Sequence, residues 1–159
     1  MKNQKEFTAL AEKYMDMVYR IALNVVRQPA DAEDVTQNVL LRLYRSGPVF
    51  ENEDHERYWL IRVTANEAKR LVSLPHRRRE TGLDEVLEDA FLPEDSVHRQ
   101  MLQAVMALPV KYRLPVYLHY YEGYAVREIG EILGRKESTV QSQLARGREK
   151  LKAALKEEE

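Results

Sequence analysis

Cysteine is absent from the 159-residue chain, which excludes disulfides and cysteine-ligated zinc and fits a reducing compartment such as the cytoplasm. Long apolar runs are missing too. Nothing approaches the roughly 18 consecutive apolar residues of a membrane span, and the chain opens on the polar MKNQKEF, so neither a span nor a secretory signal is expected. The net charge is only −1, which argues against a protein that coats nucleic acid through charge alone. Strand-like alternation and internal repeats are also missing. So are catalytic signatures. His55, His76, His98 and His119 are scattered, His55-Glu56 has no second histidine four residues after the first, and there is no nucleophile elbow. GEILGRKES has the wrong glycine spacing for a phosphate loop and follows a helical pattern rather than a strand. The expectation is a non-enzyme with no catalytic residues, no cofactor and no metal.

What the chain does contain is 44% hydrophobic and 32% charged residues, a balance that implies a folded protein. The charge is unevenly placed. Residues 1–75 carry 11 basic and 11 acidic side chains, and HRRR (76–79) adds three positive charges. Residues 80–95 hold seven acids and no Lys or Arg, and the remainder has 11 basic and eight acidic residues. An acidic segment therefore separates two parts that can each present a basic face.

Helical periodicity dominates. Phe7, Leu10, Tyr14, Val18, Ile21 and Val25 recur at three- and four-residue spacing, predicting a helix of about five turns. Pro29 and Asp31 mark a new start, with Asp31 as the expected N-cap of a helix running to about Arg45. A third helix is expected from about Glu56 to Ser73, stopping before Pro75. After the linker, helices are expected over 96–108, over 109–121 with a kink at Pro115, over 125–133, and through GRKESTVQSQLARGREKL (134–151). The fold expected is all-α: two small helical domains, 1–75 and 96–159, joined by an acidic linker at 76–95.

Three helix faces carry functional readings. On a wheel of about 100° per residue, Val140, Leu144, Gly147 and Leu151 share one face of the last helix, while Ser138, Ser142, Ala145, Arg146 and Glu149 point away. Gly134 is a candidate left-handed terminator for the preceding helix, and Gly130 offers room for a neighbouring helix. Two short helices and a tight turn describe either a helix-turn-helix that reads DNA or an αα-hairpin with a solvated face. Ser138 and Gln141 also fit a capping box, which would make them structural. The helix over 56–73 places Trp59, Arg62, Val63, Asn66, Lys69, Arg70 and Ser73 opposite a core of Leu60, Ile61, Thr64, Ala68, Leu71 and Val72. An aromatic among cations suits single-strand binding, or else Trp59 covers the core at the helix start. The helix from Asp31 has one stripe of Val35, Val39 and Leu43 and a second of Leu40, Leu41 and Tyr44, with Gln37 among the latter. That second stripe is either a partner surface or covered by a neighbouring helix.

Taken in order, DAEDVTQNVLLRLYR, HERYWLIRVTANEAKRLVSLPHRRR and ALPVKYRLPVYLHYYEGYAVREIGEILGRKESTVQSQLARGREKL resemble a bacterial RNA polymerase sigma factor of the extracytoplasmic-function (ECF) group. The resemblance covers nearly the whole chain. It implies region 2 and region 4 domains that bind core polymerase and direct it to promoters. The polymerase-docking positions would be Asp34, Gln37, Asn38, Leu40, Leu41 and Tyr44. The minus-ten element would be opened and held by His55, Trp59, Arg62, Asn66, Lys69 and Arg70. The minus-thirty-five duplex would be read by Arg135, Lys136, Ser138, Thr139, Gln141, Ser142, Ala145 and Arg146. The acidic linker would pass through the polymerase channels. An anti-sigma protein is the further partner implied, with cytoplasmic location or tethering to the membrane through that partner. The chain departs from the family in having Gln141 and Gln143 where Lys or Arg is usual, Ala145 for a bulky residue, Asn38 for an acid, and Glu56 for an apolar or aromatic residue. Gln pairs well with adenine, so an adenine-rich contact with weaker phosphate anchoring is expected opposite Gln141. The competing functional class is an independent helix-turn-helix regulator that binds duplex without polymerase.

Overall fold

The computed structural model describes residues 1–75 and 95–157. Seven α-helices and no strand occur among them, and the chain divides into two compact units, Met1–Gly82 and Leu83–Glu159. The expected linker lies outside the described residues except for Asp95.

The first unit packs three helices. α1 (Gln4–Val26) starts where the Asn3 side chain accepts the Glu6 N–H at 2.8 Å. It ends at Arg27, whose left-handed φ of 65° turns the chain and returns its N–H to the Leu23 carbonyl. α2 (Pro29–Ser46) begins two residues before the expected cap, with Gln28 as N-cap and Pro29 in the first turn. Proline suits that place because its missing N–H would have had no helical partner. Asp31 is therefore not the cap. It lies inside the first turn, buried, where an acid faces the positive end of the helix dipole.

α3 (Glu53–Val72) also begins earlier than expected, because the Asn52 side chain accepts the His55 N–H at 2.8 Å and caps it. Val18, Ile21 and Ala22 of α1 meet the Val35–Val39–Leu43 stripe of α2 and Leu60, Ile61 and Ala68 of α3 to form the core. Full burial of each large side chain is worth about 1.5–3 kcal/mol. Leu71 and Val72, expected in this core, are only half-buried, and Val63, placed by the wheel among the cations, is buried instead. The core takes the stretch from Leu60 to Ala68 and loosens towards the end of α3.

The second unit holds α4 (Ser96–Met106), α5 (Val110–Tyr120), α6 (Val126–Leu133) and α7 (Glu137–Glu157). Asp95 caps α4 by accepting the Val97 N–H at 2.9 Å. Buried Arg113 donates from Nη1 to the Leu108 carbonyl at 2.8 Å, which ties α5 to the end of α4. α5 continues through Pro115, which is buried. Glu128 reaches back to the Ala125 N–H at 3.1 Å and closes the start of α6.

Candidate nucleic-acid interface

The turn between α6 and α7 sets the geometry of the second unit. Gly134 adopts φ 67°, a conformation glycine takes without Cβ strain, and returns its N–H to the Gly130 carbonyl. Arg135 donates its N–H to the same carbonyl at 2.8 Å. The nearest backbone to Gly130 is thus the Arg135 carbonyl in the turn, at 2.7 Å from where a Cβ would sit, rather than a crossing helix. The crossing occurs at Gly147, where a Cβ would lie 2.7 Å from Val116 Cγ2 of α5. Glycine there lets α7 lie directly against α5.

α7 begins at Glu137, so Ser138 is its second residue rather than its cap. The Ser138–Gln141 capping box therefore does not form. Val140, Leu144 and Leu151 are buried with Gly147, as the wheel predicts, and Ser138, Thr139, Gln141, Ser142 and Arg146 all lie exposed on the outer side. Lys136 is exposed and Ala145 half-buried. Arg135 is half-buried and donates from Nη1 to Gln143 Oε1 at 2.8 Å, which ties the turn to α7. Burial pulls its guanidinium below its ordinary value.

In the first unit, Trp59 and His55 converge on a residue that sequence reasoning missed. The Phe50 ring stands edge-on to His55 at 5.1 Å and to Trp59 at 5.8 Å. Lys2 Nζ lies 4.9 Å from the same ring and donates to the Pro48 carbonyl at 2.7 Å, holding the loop before α3. His55 Nδ1 accepts the Glu51 N–H at 3.1 Å. Trp59 is half-buried in this cluster, so part of its surface is used in packing and part faces outward. Phe50 carries no helical periodicity, and only its place next to the Asn52 cap distinguishes it. Arg62, Asn66 and Arg70 are exposed on the adjoining side of α3, and Lys69 is half-buried. Arg70 pairs with Glu67 at 2.7 Å, which holds the Glu67 carboxyl below its ordinary range.

α2 leaves its second stripe partly open. Leu41 is 47% exposed and Leu40 is half-buried, while Tyr44 is partly covered by Phe7 of α1, ring to ring at 5.1 Å. Asp34, Gln37 and Asn38 are exposed beside it, and Asn38 Nδ2 lies 3.4 Å from Glu67 Oε1 on α3.

Residues 10–81 match the family of sigma-70 region 2, and residues 98–151 match sigma-70 region 4. The chain belongs to the sigma-70 family. Among curated relatives, it is 27% identical to the ECF RNA polymerase sigma factor SigW of Bacillus subtilis over 98% of this chain and 91% of that protein. It is 34% identical to the ECF sigma factor SigE of Mycolicibacterium smegmatis, over 92% of this chain but 60% of that longer protein. The fold resembles that of the sigma factor RpoE solved with the anti-sigma factor NepR from Bartonella quintana. That match has a TM-score of 0.74 at 19% identity, covering 96% of this chain and 98% of the other. CnrH, solved with the cytosolic domain of CnrY, gives 0.69 at 22% identity over 99% and 92%. This ECF sigma factor thus belongs with transcription initiation factors rather than enzymes. Among its described residues, no helix is long and apolar enough to cross a membrane.

Proposed function

We propose that this sigma factor binds core RNA polymerase and directs it to promoters of defined sequence. On this reading 1–75 is region 2, 76–95 a connecting linker, and 96–159 region 4. α7 enters the major groove of the minus-thirty-five duplex, where Ser138, Thr139, Gln141, Ser142 and Arg146 meet base edges and phosphates, flanked by Arg135, Lys136 and Ala145. The observation that carries the reading is the division of α7: its apolar residues and Gly147 are spent on packing, and its exposed side is a continuous set of hydrogen-bonding side chains on a helix fixed by a tight turn. With Gln141 exposed and outside any capping box, it is available to pair with adenine.

The first unit takes the minus-ten element. Arg62, Asn66, Lys69 and Arg70 track the unpaired strand, and the exposed part of Trp59, beside His55, offers a stacking surface. Core polymerase docks on α2 through the partly open Leu40–Leu41–Tyr44 stripe and the polar rim of Asp34, Gln37 and Asn38. An anti-sigma protein is the further proposed partner, supported by the two structural neighbours, each solved with a second protein named for that role or bound as a cytosolic domain. The proposed location is the cytoplasm, or the membrane face through that partner.

The test mixes the purified chain with bacterial core polymerase and a promoter library and scores transcripts. Specific initiation that needs both components is expected. Specific duplex binding without polymerase, together with no transcripts, would overturn the proposal in favour of an independent regulator. Within the initiating set, an adenine preference opposite Gln141 is expected, and Gln141→Arg should move it towards guanine.

A further inference from the structure

Beside the outer side of α7 lies a groove whose second wall, on α5, is formed by residues outside the proposed reading positions. It runs between the start of α5 and the first half of α7, and is lined by Lys111 and Tyr112 from α5 and by Ser138, Thr139, Ser142 and Arg146 from α7. Two cations share one ring at its edge. Lys111 Nζ stands 5.0 Å from the centre of the Tyr112 ring, and Lys150 Nζ stands 5.9 Å from the same ring. Both distances fall within cation–π range, so the buried Tyr112 ring draws a lysine from each helix to one place. The close approach of α7 to α5 at Gly147 makes this possible, because a Cβ there would lie 3.7 Å from Tyr112 Cβ and 2.7 Å from Val116.

Lys111, Lys150 and Arg146 are exposed, and among the described residues none of them is drawn into an ion pair. Two cations and three hydroxyls lining one groove, with Lys150 on the Tyr112 ring at its edge, are the donor set of a phosphodiester: charge for the oxygens and hydroxyl donors for its remaining lone pairs. Gln143, which also lines the groove, has its oxygen engaged by Arg135 and supplies no charge.

We propose that this groove holds a backbone phosphate of the promoter duplex, with Lys111 and Lys150 providing anchoring charge. The inference rests on the proposed reading of α7 as the duplex reader and adds to it a contact from α5, outside the two-helix reading unit. Lys111 and Lys150 are anchors and carry no base preference, so sequence choice stays with the outer residues of α7.

The experiment uses the full chain with core polymerase and a promoter duplex selected by the wild-type holoenzyme. Promoter affinity is measured over a series of salt concentrations for wild type, Lys111→Ala, Lys150→Ala, the double variant and Lys111→Arg. Each alanine change should weaken binding severalfold at low salt and flatten the slope of log affinity against log salt by roughly one unit, with base preference unchanged. Lys111→Arg should restore both. If the double variant keeps the wild-type affinity and slope, the groove is not a phosphate site and the inference falls while the duplex-reading function stands. If either alanine change alters base preference instead, the anchoring role is wrong. If wild-type holoenzyme selects no promoter at all, the functional reading itself fails and takes the inference with it.

Discussion

The two units tie their helices together with different chemistry. In the first, the polar ties run to carboxylates: Lys13 of α1 meets Glu53 at 2.9 Å and Glu56 at 3.6 Å on α3, and the Tyr14 hydroxyl donates to Glu56 at 2.7 Å. Lys13 and Glu53 reinforce each other's charge: hydrogen bonding to Glu53 holds the Lys13 ammonium well above its ordinary value, and Lys13 holds the Glu53 carboxyl below its own. In the second, Arg135 ties to the neutral amide of Gln143 and Arg148 to the Tyr120 hydroxyl at 3.1 Å. These cations are positioned without being neutralised. A guanidinium held by a neutral acceptor keeps its full charge for a third party, which suits a surface proposed to meet phosphate. The first unit spends part of its charge on itself. In the second, Arg135 and Arg148 keep theirs available.

Neither set of ties is what chiefly holds its unit together, and the largest expected effect makes that point. Leu43→Ala empties a fully buried site in the first unit and should cost about 2–5 kcal/mol. Hydrogen exchange should accelerate across α1 to α3 and leave the second unit unchanged. Next comes Gly147→Ala, which drives a methyl into Val116 and should cost about 1–3 kcal/mol, with the loss confined to α5 to α7 by the same measurement. A smaller, purely electrostatic effect is expected from Gln143→Glu. It keeps the bond to Arg135 but cancels its charge, so duplex affinity and its salt slope should fall with the fold intact. Equal affinity for Gln143→Glu and wild type would erase the distinction drawn between the two units. The smallest effect belongs to Lys13→Met. Its shorter ion pair, to Glu53, is solvent-exposed, and Glu56 keeps its hydrogen bond from Tyr14, so melting should be nearly indistinguishable from wild type.

The apolar stripes were the most legible part of the sequence. Val35, Val39 and Leu43 on α2 and Val140, Leu144, Gly147 and Leu151 on α7 are buried where their spacing places them, because burial imposes a strict helical period. Helix starts were less legible. Asp31 and Ser138 both have capping chemistry, yet Pro29 moves the start of α2 ahead of Asp31 and α7 opens at Glu137. At α3 the acidic run ENEDHE hides the true cap, Asn52, among residues with no apolar rhythm. Val63 sits at the edge of the wheel's polar face, and the packing of the three helices buries it. The Phe50 cluster and the groove beside Lys111 were invisible to any single-helix analysis. Each is assembled from residues on different elements, and only the packing brings them together.

The sharp partition of α7 has a consequence for how such proteins diversify. Because the buried residues, Gly147 and the ties of Gln143 and Arg148 hold the helix in place, residues 138, 139, 141, 142 and 146 can change without renegotiating the fold. Lettering and page are separate. On the proposed reading, a library randomised at those five positions would yield many readers with one shared scaffold, and so a route to mutually orthogonal promoters.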